Sequence, residues 1–74
     1  MKMAESYKKE WCGLAVNGRY GKDGLQFKVK KIQNGTASIV MTEGELAVQD
    51  LISVAGTQFL VAKRRGRILD LQIP

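Results

Sequence analysis

The residues best suited to chemistry in this sequence are bases gathered in two segments. Residues 13–31 carry Arg19, Lys22, Lys28, Lys30 and Lys31 against the single acid Asp23, and residues 63–67 carry Lys63, Arg64, Arg65 and Arg67. Four bases in five residues repel one another, a cost that a purely structural turn does not need to bear. Lysines neutralise phosphates, and the planar arginine group grips phosphates or carboxylates with two hydrogen bonds. We therefore predict that these nine bases bind a polyanion or an acidic protein surface.

The basic segments also have structural interpretations. Lys28 and Lys30 share the outward side of a predicted strand, with Lys31 at its end, and lysines in such places protect an edge strand against aggregation. The bases as a group also suit a solvated surface that keeps the protein soluble. These alternatives differ from the binding hypothesis because they predict that replacing the bases leaves the affinity for every partner intact.

Two aromatic residues are further candidates for contact with a partner. Tyr20 lies between glycines in a predicted loop among the bases, and interleaved aromatics and bases let nucleobases stack while lysines neutralise phosphates. Trp11, the only tryptophan, is predicted either to lie in the core or to anchor a docking surface. Phe27 falls on the same side as Leu25 and Val29, so we assign it to the core.

The chain has no histidine and a single cysteine, Cys12. These counts exclude histidine-containing and all-cysteine zinc sites, disulfides, paired-cysteine redox motifs and histidine-activated nucleophiles. Gly18, Gly21 and Gly24 are spaced by three, which is not the dinucleotide-binding spacing. We therefore predict a protein without catalytic residues, metal or cofactor, in which Cys12 is a small core residue.

The chain length limits the kind of site that can be built. Seventy-four residues, of which 45% are hydrophobic and 26% charged, suffice for one small folded domain. A deep catalytic cleft is hard to build at this size, so we expect binding on an outer face. The net charge of +5 favours a polyanionic partner, whereas residues 32–62 contain no base and carry Glu43, Glu45 and Asp50, which predicts one acidic region.

The sequence also bears on location. Its first residues include no apolar segment of the kind that marks a signal peptide. No apolar run approaches the roughly 20 residues that span a bilayer, and a lone cysteine suits a reducing compartment. We predict a cytoplasmic protein that does not contact membranes.

Alternating apolar and polar residues predict an all-β fold. The alternation is strict from Leu25 to Lys30, and the following Asn34-Gly35 pair favours a type I′ turn. Thr36 to Met41 then supply the β-branched and apolar residues of a returning strand. These segments predict a hairpin of residues 25–41.

The second half of the chain predicts further strands. Residues 51–54 and 59–62 are predicted to pair around a Gly56-Thr57 turn, and residues 64–67 to form the turn before a last strand over 69–73. Glu45 to Asp50 fit either a short strand or one helical turn.

Together these elements predict a small antiparallel barrel, SH3-like or OB-like, of five to six short strands. We assign residues 1–12 to an N-terminal arm or frayed turn and residues 13–74 to the barrel domain, although Trp11 to Val16 also suit a first strand. The predicted core consists of Leu25, Phe27, Val29, Ile39, Phe59, Val61, Leu69 and Leu71.

The glycine-turned strands from Leu25 to Ile73 resemble the SH3-like or Sm-like small barrels common among transcription and translation factors. The Lys-Gly-Phe-Gly-Phe type of motif of cold-shock and RRM proteins is absent from the sequence. In size, basicity and lack of a catalytic motif the chain is similar to small phage-encoded regulators that bind host RNA polymerase, of the lytic Xanthomonas phage type. This resemblance implies regulation of transcription through binding to RNA polymerase.

We therefore expect a non-enzymatic regulator of gene expression. Its bases would bind nucleic acid or an acidic surface of RNA polymerase, and it would act by occlusion or tethering. The alternative is a protein interaction or assembly module, in which strand edges pair without nucleic-acid contact. Salt dependence separates the two, because phosphate contacts weaken steeply with salt and an apolar interface does not.

Overall fold

A computed structural model describes residues 7–74, with side chains from residue 9 onwards. Over this range the chain forms nine β-strands and no helix. The strands are β1 (Tyr7–Lys8), β2 (Glu10–Trp11), β3 (Leu14–Ala15), β4 (Arg19–Lys22), β5 (Leu25–Gln33), β6 (Thr36–Glu43), β7 (Leu51–Val54), β8 (Thr57–Arg65) and β9 (Ile68–Gln72). The predicted all-β fold is confirmed.

Seven of the strands form one antiparallel sheet, in the order β1-β5-β6-β9-β8-β7, with β4 also pairing β5. β4 contacts β7, so the two edges approach each other and the sheet curls into a nearly closed barrel. β2 and β3 form a separate hairpin. The predicted small barrel is confirmed. The strand count exceeds the predicted five to six because three strands of only two residues each, β1, β2 and β3, precede the six longer strands.

Two-residue turns ending in glycine connect most neighbouring strands. In the predicted Asn34-Gly35 turn both residues have positive φ, 53° and 70°, as a type I′ turn requires. Cys12-Gly13, Asp23-Gly24 and Ala55-Gly56 share this pair of positive φ angles. The turn predicted at Gly56-Thr57 therefore lies one residue earlier, and Thr57 already belongs to β8.

One hydrophobic core fills the barrel. The core prediction is confirmed for all its members except Leu25, which is only partly buried. The core also contains Leu14, Ile32, Ala37, Met41 and Leu46. Alternation along β5, β6, β8 and β9 places their apolar residues on the inner side, as a half-buried sheet requires.

The N-terminal segment differs from its prediction. Residues 1–6 of the predicted arm lie outside the described residues, and Tyr7–Lys8 pairs with β5. Trp11 to Val16 do not form a single strand, because the Cys12-Gly13 turn reverses the chain and Trp11 pairs with Leu14. The prediction that Cys12 is a core residue is wrong, since this turn leaves Cys12 exposed.

The β2–β3 hairpin covers part of the core beside the β7–β8 turn. Leu14 is fully buried, and the Trp11 ring packs against Phe59 with the two ring centroids 5.7 Å apart. At the tip of the hairpin, a Cβ atom on Gly13 would lie 2.9 Å from the Cβ of Ala55. Because that distance is too short for two carbon atoms, only glycine allows the two turns to approach this closely.

Two segments in the second half also differ from their predictions. Glu45 to Asp50 form neither a strand nor a helical turn but a loop, in which the Ala47 N–H donates to Asp50 Oδ2 at 2.9 Å. The turn predicted over residues 64–67 shortens to Gly66-Arg67, because the two residues before it still pair with β9.

Ala55 offers a test of the turn assignment. Its φ of 53° is unfavourable for alanine but tolerated by asparagine, which occupies the equivalent position at Asn34 with the same φ. We expect Ala55→Asn to stabilise the protein by about 0.5–1 kcal/mol. Thermal unfolding should show a rise of roughly 2–8 °C. The reciprocal change Asn34→Ala should lower the melting temperature by a similar amount, and a fall in the Ala55→Asn protein would contradict the assignment.

Candidate polyanion-binding face

A row of paired residues crosses five neighbouring strands on the outside of the barrel. Arg19 in β4 pairs with Lys28 in β5, and Lys28 pairs with Val40 in β6. Val40 pairs with Ile68 in β9, which pairs with Arg65 in β8. Paired residues point to the same side of a sheet, and the strand neighbours of Lys28 and Val40 are buried. The row therefore faces outward, with bases at both ends.

A second row lies beside the first. Lys31 in β5 pairs with Ser38 in β6, Ser38 with Asp70 in β9, and Asp70 with Lys63 in β8. Ser38 Oγ donates a hydrogen bond to Asp70 Oδ1 at 3.2 Å. This row also carries bases at its two ends and polar groups in the middle.

The two rows form one surface. Lys30, Lys31 and Arg65 surround a shallow depression of about 270 Å³ that Ser38 and Ile68 also line. We call this surface the basic face. It comprises the six bases Arg19, Lys28, Lys30, Lys31, Lys63 and Arg65 around Ser38, Val40, Ile68 and Asp70.

A β-bulge in β5 brings an additional lysine to the basic face. The pairing of β5 with β6 skips Lys30 between Val29 and Lys31. An extra residue reverses the side to which the rest of the strand points. Lys31 consequently faces outward, and Ile32 turns into the core, where it is fully buried.

A second bulge in β8 separates the clustered bases. The pairing of β8 with β9 skips Ala62 between Val61 and Lys63. Lys63 and Arg65 therefore pair with the outward residues of β9, whereas Arg64 pairs with Leu69, which is buried. The dense cluster predicted from the sequence thus contributes to two surfaces.

The bases of the basic face form no ion pairs within residues 9–74, although Asp70 lies opposite Lys63 in the sheet. All are exposed except Lys28, which is half-buried. Among residues 9–74, no carboxylate forms an ion pair with any of the six, and the ion pair of Arg64 with Glu45 lies elsewhere. Arg19 faces Lys28 directly, and like charges at paired positions destabilise a sheet. A bound anion would offset this repulsion.

The basic face accounts for the whole formal net charge. It carries six of the 12 bases and one of the seven acids, so the six bases and six acids elsewhere in the sequence cancel. Glu43 lies one row beyond the face, opposite Gln26. Within residues 9–74 the four bases and five acids off the face sum to −1, so the positive charge of this range is concentrated on the basic face.

The dimensions of the face suit several anionic groups at once. Its lysine-rich edge on β5 and its basic edge on β8 are separated by β6 and β9. Three strand spacings correspond to about 14 Å, and the two rows lie about 7 Å apart along the strands. Duplex DNA presents one phosphate charge per roughly 1.7 Å of its axis, so a duplex crossing this area offers more than one phosphate to each edge.

Three of the nine predicted bases lie away from the basic face. Lys22 lines a cavity of about 330 Å³ beside β7, with apolar walls that include Ile52 and Val54. Arg64 and Arg67 line a separate cavity of about 220 Å³ at the end of the barrel, which we call the arginine pocket.

The two aromatic candidates pack against the core. Tyr20 belongs to β4 and not to the predicted loop, and its ring centroid lies 5.9 Å from that of Phe27. The Tyr20 hydroxyl accepts a hydrogen bond from the Ala15 N–H at 2.7 Å. Trp11 is half-buried against Phe59. Neither ring forms part of the basic face.

Sequence reasoning did not identify the middle of the face. Ser38 and Val40 alternate with buried residues of β6, so the alternation alone could have placed them outward. Ile68 and Asp70 reach the same surface because β9 pairs with β6. No local pattern in the sequence signals that pairing.

Within the described residues, no group of three or more histidine, cysteine, aspartate or glutamate side chains could hold a metal ion. No helix of residues 7–74 is long and apolar enough to cross a membrane. No protein-family model, curated protein or solved structure matches the chain.

Proposed function

We propose that this protein is a non-enzymatic regulator of gene expression that binds the phosphate backbone of nucleic acid through the basic face. The observation that carries the proposal is the concentration of charge on one outer side of the barrel, where the face carries +5 and the rest of residues 9–74 sums to −1. Phosphate contacts supply essentially all of the affinity of non-specific nucleic-acid binding. A cytoplasmic location is part of this proposal.

The mode of binding follows from the side chains of the face. Lysine and arginine at its two edges contact phosphates, and such contacts fix a protein on nucleic acid without reading the sequence. The middle of the face offers Ser38, Val40, Ile68 and Asp70, which are all half-buried. We therefore expect binding with little sequence preference, and regulation by occluding the nucleic acid or by tethering another protein to it.

An acidic surface of a protein, such as RNA polymerase, is the second candidate partner. Val40 and Ile68 are half-buried apolar residues between the two basic edges. An apolar centre with a charged rim is also the usual composition of a protein interface. Capture of RNA polymerase that survives nuclease treatment would support this partner over nucleic acid.

An assembly module without nucleic-acid contact is the remaining alternative. β7 is an edge strand, and its Leu51 is 54% exposed. Exposed edge strands can pair with a second copy. Sedimentation at low and high salt tests this alternative, which requires a dimer whose stability does not depend on salt.

Two double variants with equal charge test the basic face. Lys63→Gln with Arg65→Gln removes two bases from the face, and Arg64→Gln with Arg67→Gln removes two from the arginine pocket. We expect the first variant to bind duplex DNA or RNA more weakly. The slope of its log affinity against log salt should be less steep by about 1.8, because each lost phosphate contact removes about 0.9 from the slope. Fluorescence anisotropy over a salt series measures both quantities.

The second double variant is the matched control, because it has the same net charge and its substitutions lie in the same five-residue segment. Its affinity should fall only slightly, and its salt slope should stay that of the unmodified protein. Equal losses in the two variants would show that total charge, and not the basic face, governs binding. Melting temperatures identify any loss caused by unfolding.

A further inference from the structure

The arginine pocket lies at the end of the barrel where the loop after β6 meets the β8–β9 turn. Arg64 and Arg67 line it together with Glu45, over a floor of Met41, Leu46 and Leu69. The three floor residues are buried members of the core. The pocket therefore combines guanidinium groups with an apolar base.

Hydrogen bonds to the backbone hold both guanidinium groups in place. Arg64 Nε donates to the Gly66 carbonyl oxygen at 3.1 Å, and Arg67 Nη1 donates to the Met41 carbonyl oxygen at 3.3 Å. An arginine side chain has five N–H donors, so each group keeps donors for a ligand. Positioned guanidinium groups lose little conformational freedom when they bind an anion.

A carboxylate of the chain already pairs with one of the two arginines. Glu45 Oε1 lies 3.5 Å from Arg64 Nη2, although the Glu45 side chain is 83% exposed. An exposed ion pair of this kind is worth only about 0.2–1 kcal/mol. Since Glu45 belongs to a loop without regular structure, an incoming carboxylate can displace it at little cost.

We propose that the arginine pocket binds an acidic side chain of a partner protein, and that the Glu45 carboxylate takes the position of this side chain in the free protein. The volume of about 220 Å³ admits one or two side chains and is smaller than the roughly 300 Å³ at which pockets for whole small molecules begin. The apolar floor suits an apolar residue next to the acidic one. An incoming carboxylate that displaces Glu45 leaves the charge beside the two arginines unchanged, because one carboxylate replaces another.

This site is distinct from the basic face and does not depend on the function proposed for it. The β8 bulge separates the two, because it places Lys63 and Arg65 on the basic face and Arg64, which pairs with Leu69, at the arginine pocket. A protein partner in the pocket can bind together with a nucleic acid on the face. The pocket thus adds a protein contact to the nucleic-acid contact proposed for the face.

Titration with capped peptides tests the proposal. The probes are the tetrapeptides Gly-Glu-Leu-Gly and Gly-Gln-Leu-Gly, followed by amide NMR of the whole protein. We expect the glutamate peptide to shift the amides of Gly44, Glu45 and Gly66 in a saturable way, and the glutamine peptide to leave them unshifted. Equal shifts from both peptides would overturn the proposal, because the pocket would then not recognise a carboxylate.

Three variants locate the interaction. Arg64→Lys keeps the charge but loses the planar fork, and should weaken binding of the glutamate peptide about tenfold. Glu45→Gln removes the internal competitor and should tighten it by about 1.5- to 5-fold, the equivalent of the exposed ion pair. Lys63→Gln, the charge control on the basic face, should leave it unchanged.

Other outcomes contradict the proposal. It fails if Glu45→Gln weakens the peptide, or if Lys63→Gln weakens it as much as Arg64→Lys. It also fails if inorganic phosphate displaces the peptide at concentrations where acetate at equal ionic strength does not, because the pocket would then be a phosphate site. Folding of each variant is read from the same amide spectra.

Discussion

Reversing four charges of the basic face is expected to abolish nucleic-acid binding near physiological salt. The variant carries Glu in place of Lys28, Lys31, Lys63 and Arg65, which leaves two bases and five carboxylates on the face. Six phosphate contacts give the unmodified protein a salt slope of about −5, so its affinity should fall about 1000-fold between about 50 and 200 mM salt. The variant should show no measurable binding by fluorescence anisotropy anywhere in that range.

A second quadruple variant serves as the control. It carries Glu in place of Lys9, Lys22, Arg64 and Arg67, which are exposed and lie off the basic face. Both variants have the same net charge, so a difference between them reflects the position of the charge. The control should keep a steep salt dependence. Loss of binding in both variants to the same extent would contradict the assignment of the face.

Replacing Phe59 with alanine is expected to unfold most of the protein. Among residues 9–74, Phe59 is the largest fully buried side chain, and its ring also packs against Trp11. Truncation of a buried phenylalanine costs about 3–5 kcal/mol, which equals the total that the core of a domain this short usually supplies. Urea unfolding followed by circular dichroism gives the loss. The fluorescence of Trp11, the only tryptophan, reports whether the β2–β3 hairpin detaches at the same time.

The neighbouring residue provides the control for this prediction. Leu60 lies next to Phe59 in β8 but is only half-buried. Leu60→Ala should therefore cost no more than about 1 kcal/mol. A Phe59→Ala protein as stable as Leu60→Ala would mean that the barrel core does not depend on this ring.

Local patterns sufficed to predict the central hairpin and most of the core. The strict alternation from Leu25 to Lys30 and the Asn34-Gly35 pair are physical requirements of a half-buried strand and a type I′ turn. They involve residues close together in the sequence. The structure confirms both, and the hairpin continues to Glu43.

The bulges and the long-range pairing could not be predicted in the same way. The positions of the bulges at Lys30 and Ala62 depend on how β5 pairs with β6 and β8 with β9. Adding or removing one residue in a strand reverses the side of the sheet to which the following residues point. The position of the β8 bulge therefore decides whether Arg64 or Arg65 joins the basic face. A signal did exist in β5, because two lysines separate Val29 from Ile32, where simple alternation allows one polar residue.

The pattern of turns has a consequence for the order of folding. Consecutive strands from β4 to β6 and from β7 to β9 are joined by two-residue turns, so each group can pair through local contacts within microseconds. The pairing of β6 with β9 must instead close a long loop, and such non-local contacts limit folding rates. This same pairing joins the lysines of β5 to the bases of β8. The folding step that commits the chain to the barrel is therefore also the step that assembles the basic face, and no partly folded hairpin carries the complete surface.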